Sequence, residues 1–244
     1  MKTIRTVEEL LQAYTIGRWL KGYWHQVHVS MDSPDLRGLD LSDANLGGAR
    51  IDRADLRGTN LSRTYLGAVN LRGVLIDENT RMDARWHLVW EIVNQPEQNR
   101  SLRFMDLGTA DLRGALLVGA DLTEANLDNT DLREADLQGA CLDRARLLET
   151  LAGGANFNRA LLRQSDMRGC RLESANLSEA DLSGSDLMGA ILYRTNLRRA
   201  NLTACDFSYA DLREADLTGA VWDGNLTEEA KLTGTILPDG TIHS

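Results

Sequence analysis

The sequence predicts an all-β solenoid, in which short repeats stack around a narrow apolar interior. A large apolar residue, here called position i, returns at every fifth residue from Leu102 to Trp222, and an earlier run extends from Leu36 to Ile76. A five-residue period matches neither the 3.6-residue period of an α-helix nor the two-residue alternation of a long strand. Self-similarity at a short fixed period is typical of stacked repeats, which bury their apolar faces against one another.

The residues around position i fit a short extended segment followed by a turn. Position i−2 is small in most repeats, and it points to the same side of an extended segment as position i. Most of the 21 glycines fall at i+2, where a type II turn needs a positive φ. Position i−1 is mostly Asp or Asn, which suits side-chain bonds to the turn backbone. We therefore expect i and i−2 to face the interior and i−1 to support the turns.

This pattern resembles the pentapeptide-repeat family from about Pro34 to Gly224. The resemblance implies a right-handed quadrilateral parallel β-helix with four repeats in each coil, so that stacked positions lie 20 residues apart in the chain. It says much about the fold and little about the function, because one fold can support many functions.

The chain divides into five predicted segments. They are an N-terminal helical cap and lead-in strand (1–33), a first repeat block (34–78), an inserted amphipathic helix (79–99), a second block continuous with the first (100–224) and a C-terminal cap (225–244). Within the last segment, Pro238, Asp239 and Gly240 are predicted to form a turn.

The N-terminal segment has the signals of a short capping helix. Thr6 and Glu9 form a capping box, and Gly17 ends the helical pattern. We expect this helix, with Trp19 and Trp24, to cover the open end of the solenoid; an aromatic docking surface is the alternative.

The inserted segment interrupts the repeats with a helix. Thr80 is its predicted N-cap, Pro96 follows its end, and Trp86 and Trp90 lie on one apolar face. The segment looks like a helical insertion of cyanobacterial members of the family. Its apolar face can pack on the solenoid, or part of it can bind a partner. The candidate binding residues are Trp86, Leu88, Trp90 and Ile92.

The second block carries further candidates for protein binding on its outer surface. With a spacing of 20 residues, Arg159, Glu179 and Arg199 form one column, in which we expect ion pairs between coils. Ala152 is the one small residue at position i of this block, and we predict a local distortion there. The candidate contact residues are Met188, Tyr193, Tyr209, Arg198 and Arg199.

Composition excludes several functional classes. The net charge of −9 disfavours direct nucleic-acid binding, and no apolar run approaches the length of a membrane span. The four histidines lie outside the repeats, and no phosphate loop, nucleophile elbow or Cys/His metal pattern is present. The sequence therefore predicts a soluble cytoplasmic protein that is not an enzyme and has no cofactor.

We expect a noncatalytic scaffold or regulatory protein that binds an unidentified protein partner. The alternative, implied by the resemblance, is a DNA mimic that binds type II topoisomerase (gyrase), since the family includes quinolone-resistance proteins. The chain is either a monomer or an end-to-end homodimer, with Trp222, Ile236 and Leu237 available at the C-terminal end.

Overall fold

The structure is a computed structural model that describes residues 3–4, 6–9, 28–223 and 229–244. The chain divides into two compact units, Met1–Gln95 and Pro96–Ser244.

Among its described residues, the first unit contains five short strands, a helical segment at residues 7–9 and one longer helix. Strand β1 (Thr3–Ile4) pairs with β2 (His28–Asp32), β2 with β3 (Arg50–Asp52), and β4 (Asn60–Leu61) with β5 (Arg81–Met82), in parallel throughout. Helix α1 (Ala84–Asn94) follows directly after β5.

The second unit is built from parallel bridges between residues 20 positions apart. They recur at every fifth residue, from the pair Ser101–Asp121 to the pair Asp216–Ile236, with the pair that position 226 would form outside the described residues. Four bridge positions therefore fall within each 20-residue turn of the chain. This is the register of a β-solenoid, and it confirms the expected spacing of stacked positions.

Most repeats of the second unit follow one scheme of backbone hydrogen bonds; near its C-terminal end the amide of Ala204, at i+2, donates instead to Oδ2 of Asp223 over 2.8 Å. The amides of i and i+2 donate to carbonyls of the next coil, the amide of the following i−2 residue donates back to the carbonyl of i, and the i−1 amide donates to a carbonyl of the preceding coil. Examples are Leu112 to Asp131 (2.8 Å), Gly114 to Arg133 (2.8 Å), Ala115 to Leu112 (3.0 Å) and Asp136 to Ala115 (2.9 Å).

Where position i−1 is Asp or Asn, its side chain accepts a hydrogen bond from the remaining amide, at i+1. The amide of Arg113 donates to Oδ1 of Asp111 over 3.2 Å, and that of Ser183 to Oδ1 of Asp181 over 3.0 Å. The predicted turn-supporting role of Asp and Asn is confirmed.

The interior is apolar and contains buried hydroxyls with partners. Side chains at i, such as Leu142 and Leu172, are 0% exposed, and each contributes about 1.5–3 kcal/mol of burial, largely offset by chain entropy. Where Thr replaces Ala at i−2, its hydroxyl donates to the carbonyl of position i in the preceding coil, as from Thr150 to Leu127 (2.7 Å). These hydroxyls are buried without an unsatisfied donor.

The turns have a positive φ at i+2 whether or not the residue is glycine. Gly184 (φ 73) and Gly219 (φ 71) follow the prediction, whereas Arg159 (φ 59) and Tyr209 (φ 60) adopt the same conformation with full side chains. This conformation costs a non-glycine residue roughly 1–2 kcal/mol. The stacked repeat therefore holds non-glycine residues in a left-handed conformation that is intrinsically unfavourable for them.

The predicted start of the inserted helix is wrong. The N-cap of α1 is Asp83, and the hydroxyl of Thr80 instead donates to the carbonyl of Leu56 over 3.0 Å, as buried hydroxyls do at i−2. The step from Leu61 to its partner Met82 is one position longer than the regular bridge step. One extra residue precedes Thr80. This additional repeat is therefore out of the five-residue frame of the earlier ones and was not recognised in the sequence.

The predicted distortion at Ala152 is also wrong. Ala152 is 0% exposed, its amide donates to Arg171 over 2.7 Å, and Leu151 keeps both of its bridges. The register is fixed by the coils on either side, and Phe157 at the next position i, larger than leucine and fully buried, adds volume to the same coil.

The described parts of both termini agree with the sequence. The amide of Glu9 donates to Oγ1 of Thr6 over 3.1 Å, and residues 7–9 are helical. The rest of the predicted cap, including Gly17, Trp19 and Trp24, lies outside the described residues. At the other end, Gly240 (φ 86) lies in the predicted turn, after which Ile242 bridges antiparallel to Ile236.

Candidate interaction surfaces

Two of the four candidates on α1 are buried within the first unit. Trp86 is 4% exposed and Ile92 is 2% exposed. The ring of Trp86 meets that of Tyr65 edge-on, with centroids 6.0 Å apart. In this conformation, Trp86 and Ile92 are packing residues and offer no surface to a partner. Ile92 belongs to the buried part of the helix.

The other two helix candidates are half-buried. The indole Nε1 of Trp90 donates to the carbonyl of Val74 over 2.7 Å, which fixes the ring against the first unit. Leu88 is also half-buried. Little of the predicted binding face of α1 is therefore available.

Met188 and Tyr209 are the exposed apolar residues among the predicted contacts on the second unit. Their side chains are 40% and 60% exposed. They belong to successive coils, which are joined at this point because the amide of Gly189 donates to the carbonyl of Ser208 over 2.8 Å. We call these two residues the Met188 face. A hydrogen bond with Glu229 raises the pKa of Tyr209, so this phenol is neutral at physiological pH.

Tyr193 is part of a closed polar cluster. Its hydroxyl donates to Oε1 of Glu214 over 3.0 Å, and the guanidinium of Arg194 lies 4.9 Å from its ring centroid. Arg194 also donates to Oε2 of Glu214 over 2.7 Å. These bonds hold the pKa of Glu214 below its ordinary value. Tyr193 is half-buried in this cluster and offers less free surface than Tyr209, which is 60% exposed.

The two candidate arginines differ in their partners. Arg198 forms an ion pair with Asp216 at 2.8 Å, whereas Arg199 is exposed at a turn. In the same column, Nε of Arg159 donates to Oε2 of Glu179 over 2.8 Å, which confirms the expected pairing between coils. Mainly through this bond, and with a further contribution from the charge of Arg199, the pKa of Glu179 is lowered.

The second unit carries a ladder of side-chain amides that was not predicted from the sequence. The side-chain amide of Asn156 donates to Asp136 (2.9 Å), that of Asn176 to Asn156 (3.1 Å) and that of Asn196 to Asn176 (3.1 Å). The signal was present, since asparagine recurs here at 20-residue spacing. The ladder ties four successive coils together on one column.

An open polar depression on the second unit was also not predicted from the sequence. Its walls contain Asp143, Arg144, Arg163, Gln164 and Ser183. The charges within it are already paired, Arg163 with Asp143 and Arg144 with Glu124, the latter at 3.0 Å. It therefore has no preformed excess of charge for a ligand.

The described residues include neither a membrane-spanning helix nor a cluster of metal-ligating side chains. No helix among them is long and apolar enough to span a membrane. Over the same ranges, no group of three or more His, Cys, Asp or Glu residues is placed to hold a metal ion.

The chain matches the family model described as Pentapeptide repeats, in eight copies over residues 35–74, 110–147, 155–194 and 189–219. These ranges include more than half of the 244 residues. The protein belongs to the pentapeptide-repeat family. No curated protein matches the chain.

Several solved structures are similar to it. HetL from the cyanobacterium Nostoc sp. strain PCC 7120, a pentapeptide-repeat protein involved in heterocyst differentiation regulation, is 31% identical over 98% of this chain and 99% of its own, with a TM-score of 0.29. Rfr23 from the cyanobacterium Cyanothece 51142 is 30% identical over 46% of this chain and 63% of its own, with a TM-score of 0.31.

A third similar structure is that of QnrB1, a plasmid-mediated fluoroquinolone resistance protein. It is 18% identical over 84% of this chain and 91% of its own, with a TM-score of 0.30.

Proposed function

We propose that the protein is a noncatalytic pentapeptide-repeat scaffold that binds another protein through the Met188 face. The observation that carries this proposal is the exposure of Met188 (40%) and Tyr209 (60%) on adjacent coils of a regular solenoid. Met and Tyr are enriched at protein interfaces, since they supply apolar area with adaptable or polar ends.

The neighbouring residues support this choice of surface. The amide of Met188 donates to Asp186 over 3.0 Å and that of Ser208 to Asp206 over 2.8 Å, so the backbone beneath the two side chains is fixed. A rigid surface loses little conformational entropy on binding.

We extend the proposal to a regulatory role, to a right-handed four-sided winding with a helical N-terminal cap, and to a cytoplasmic location. HetL, whose described involvement is in the regulation of heterocyst differentiation, supports the regulatory role in general terms through its 31% identity. Neither the exposed Met188 face nor the similarity to HetL identifies the partner, which has to be found by experiment.

The alternative function, a DNA mimic that binds gyrase, requires a column of unpaired negative charge. Many aspartates at i−1 are instead paired with an arginine two residues later, as Asp131 is with Arg133 and Asp211 with Arg213 (2.6 Å). Pairing within the repeat weakens the acidic potential. Inhibition of gyrase supercoiling at micromolar protein would favour this alternative over the scaffold.

The proposed surface is tested by capture from a lysate of the source cells. The immobilised full chain should retain a partner that the variant Met188→Ser/Tyr209→Ser loses. The matched control is Leu116→Ser, which removes another exposed apolar side chain (52%) of the second unit. Capture that is equal for wild type and the double variant would contradict the proposal.

A further inference from the structure

Helix α1 lies where the regular bonding scheme of the first unit ends. In the preceding coils, amides at i+2 donate to backbone carbonyls of the next coil, as from Asp43 to Ser62 (3.0 Å) and from Gly48 to Gly67 (2.8 Å). This pairing is the normal way in which one coil bonds to the next.

On the last coil, side-chain oxygens replace those carbonyls. Three amides at position i+2 donate to Oδ1 atoms: Gly58 to Asp77 (2.8 Å), Arg63 to Asp83 (3.0 Å) and Gly73 to Asn94 (2.6 Å). Asp83 is the N-cap of α1 and Asn94 its last residue, so both ends of the helix bond to this edge.

The carbonyls of the same edge also have side-chain donors from α1. Nδ2 of Asn94 donates to the carbonyl of Leu71 over 2.9 Å, and the indole of Trp90 donates to that of Val74. The 23-residue step from Leu71 to Asn94 equals that from Leu36 to Thr59, whose hydroxyl makes the corresponding bond between regular coils (2.7 Å). Asn94 therefore takes the position of a residue in a further coil.

Apolar side chains complete the substitution. Trp86, Val89 and Val93 of α1 are 4%, 1% and 8% exposed, while Leu66 and Leu71 at position i of the last coil are 1% and 0% exposed. The helix thus supplies both the polar partners and the apolar cover that a coil would supply.

We infer that α1 is an edge cap, which prevents the last coil of the first unit from pairing with a coil of a second copy of this chain. An uncovered strand edge is a template for pairing, and covering it with a helix is one way in which proteins avoid this. A second copy is the occupant best matched to the edge, because its coils present donors and acceptors at the same five-residue spacing. This inference does not depend on the Met188 face.

The test uses the full-length double variant Asp83→Ala/Asn94→Ala. Residue-resolved amide exchange should become about tenfold faster at Arg63 and Gly73 than in wild type. Light scattering after size exclusion should show a dimer that increases with concentration. Glu78→Ala is the matched control, since it removes one exposed negative charge from the same unit and should change neither property.

Trp90→Phe is the milder variant if the double variant does not fold. It keeps an aromatic ring and removes only the bond to Val74, so the same two changes should appear with smaller amplitude. Unchanged exchange at Arg63 and Gly73 would overturn the cap. Faster exchange in a protein that stays monomeric at every concentration would overturn the pairing with a second copy.

Discussion

The coils of the second unit and the end of the first unit satisfy the same backbone groups in different ways. In the second unit, the amide of Gly114 donates to the backbone of the next coil, whereas in the first unit the corresponding amides of Arg63 and Gly73 donate to Asp83 and Asn94. Continuing the repeat needs only the five-residue pattern. Ending the repeat needs side-chain acceptors at particular positions, such as Asp83 and Asn94. The residues of the helix are therefore as constrained as those of the coils.

The largest expected effect is a difference in stability loss between a substitution in the interior of the second unit and one at a half-buried position of α1. Leu172→Ala removes a fully buried side chain from a coil that is held on both sides, and should lower the free energy of unfolding by about 2–5 kcal/mol. Leu88→Ala, at a half-buried helix position, should cost less than about 1.5 kcal/mol. Urea denaturation of both variants measures the difference, and equal losses would contradict the assignment of the interior.

A smaller effect tests the buried hydroxyls that link coils. Thr150→Val keeps the shape of the side chain and removes the bond to Leu127. The cost should be about 1 kcal/mol, because the Leu127 carbonyl still accepts the amide of Thr130. Thr203→Val, at an exposed turn position, is the control for thermal unfolding and should change the stability by less than about 0.5 kcal/mol. Equal shifts in the two variants would show that the hydroxyl does not link the coils.

The smallest expected effect concerns the arginine–aspartate pairs. The hydrogen bond from Arg163 holds the pKa of Asp143 below its usual value of 3.8. Because the folded-state pKa is depressed, the stability from this pair is present above pH 4 or so and is lost as the pH falls below it. Asp143→Asn should flatten this part of the pH profile by less than about 1 kcal/mol, since the arginine is exposed and water screens the pair. An unchanged profile between pH 5 and 2, measured by denaturation, would show that the pair contributes nothing.

The regular part of the fold could be predicted because each five-residue repeat contains the residues that determine its local structure. Leucine at i specifies the interior, and Asp or Asn at i−1 specifies an acceptor for the turn amide, as Asp111 does for Arg113. The register between stacked coils came from the family resemblance rather than from the five-residue spacing itself. Tyr209 was predicted to be exposed because its turn position points outward in every coil.

The irregular part could not be predicted from periodicity. The repeat before α1 is displaced by one residue, so that Met82 pairs with Leu61 and Thr80 does not cap the helix. The roles of Asn94 and Trp90 depend on contacts with residues 16–23 positions earlier, which no local pattern indicates. For the same reason, the closed cluster of Tyr193 and Glu214 was not foreseen.

The bonding scheme of the coils is tested most directly by residue-resolved amide exchange of the wild-type chain. Glu173 and Tyr193 occupy i+1 where i−1 is Arg171 or Ile191, and their amides make no hydrogen bond within the described residues. They should exchange much faster than the neighbouring amides of Leu172 and Leu192, which donate to the next coil over 2.8 and 2.7 Å. One fast amide in these five-residue repeats is the predicted result. Equal protection of all four amides, or protection with a helical period, would contradict the scheme.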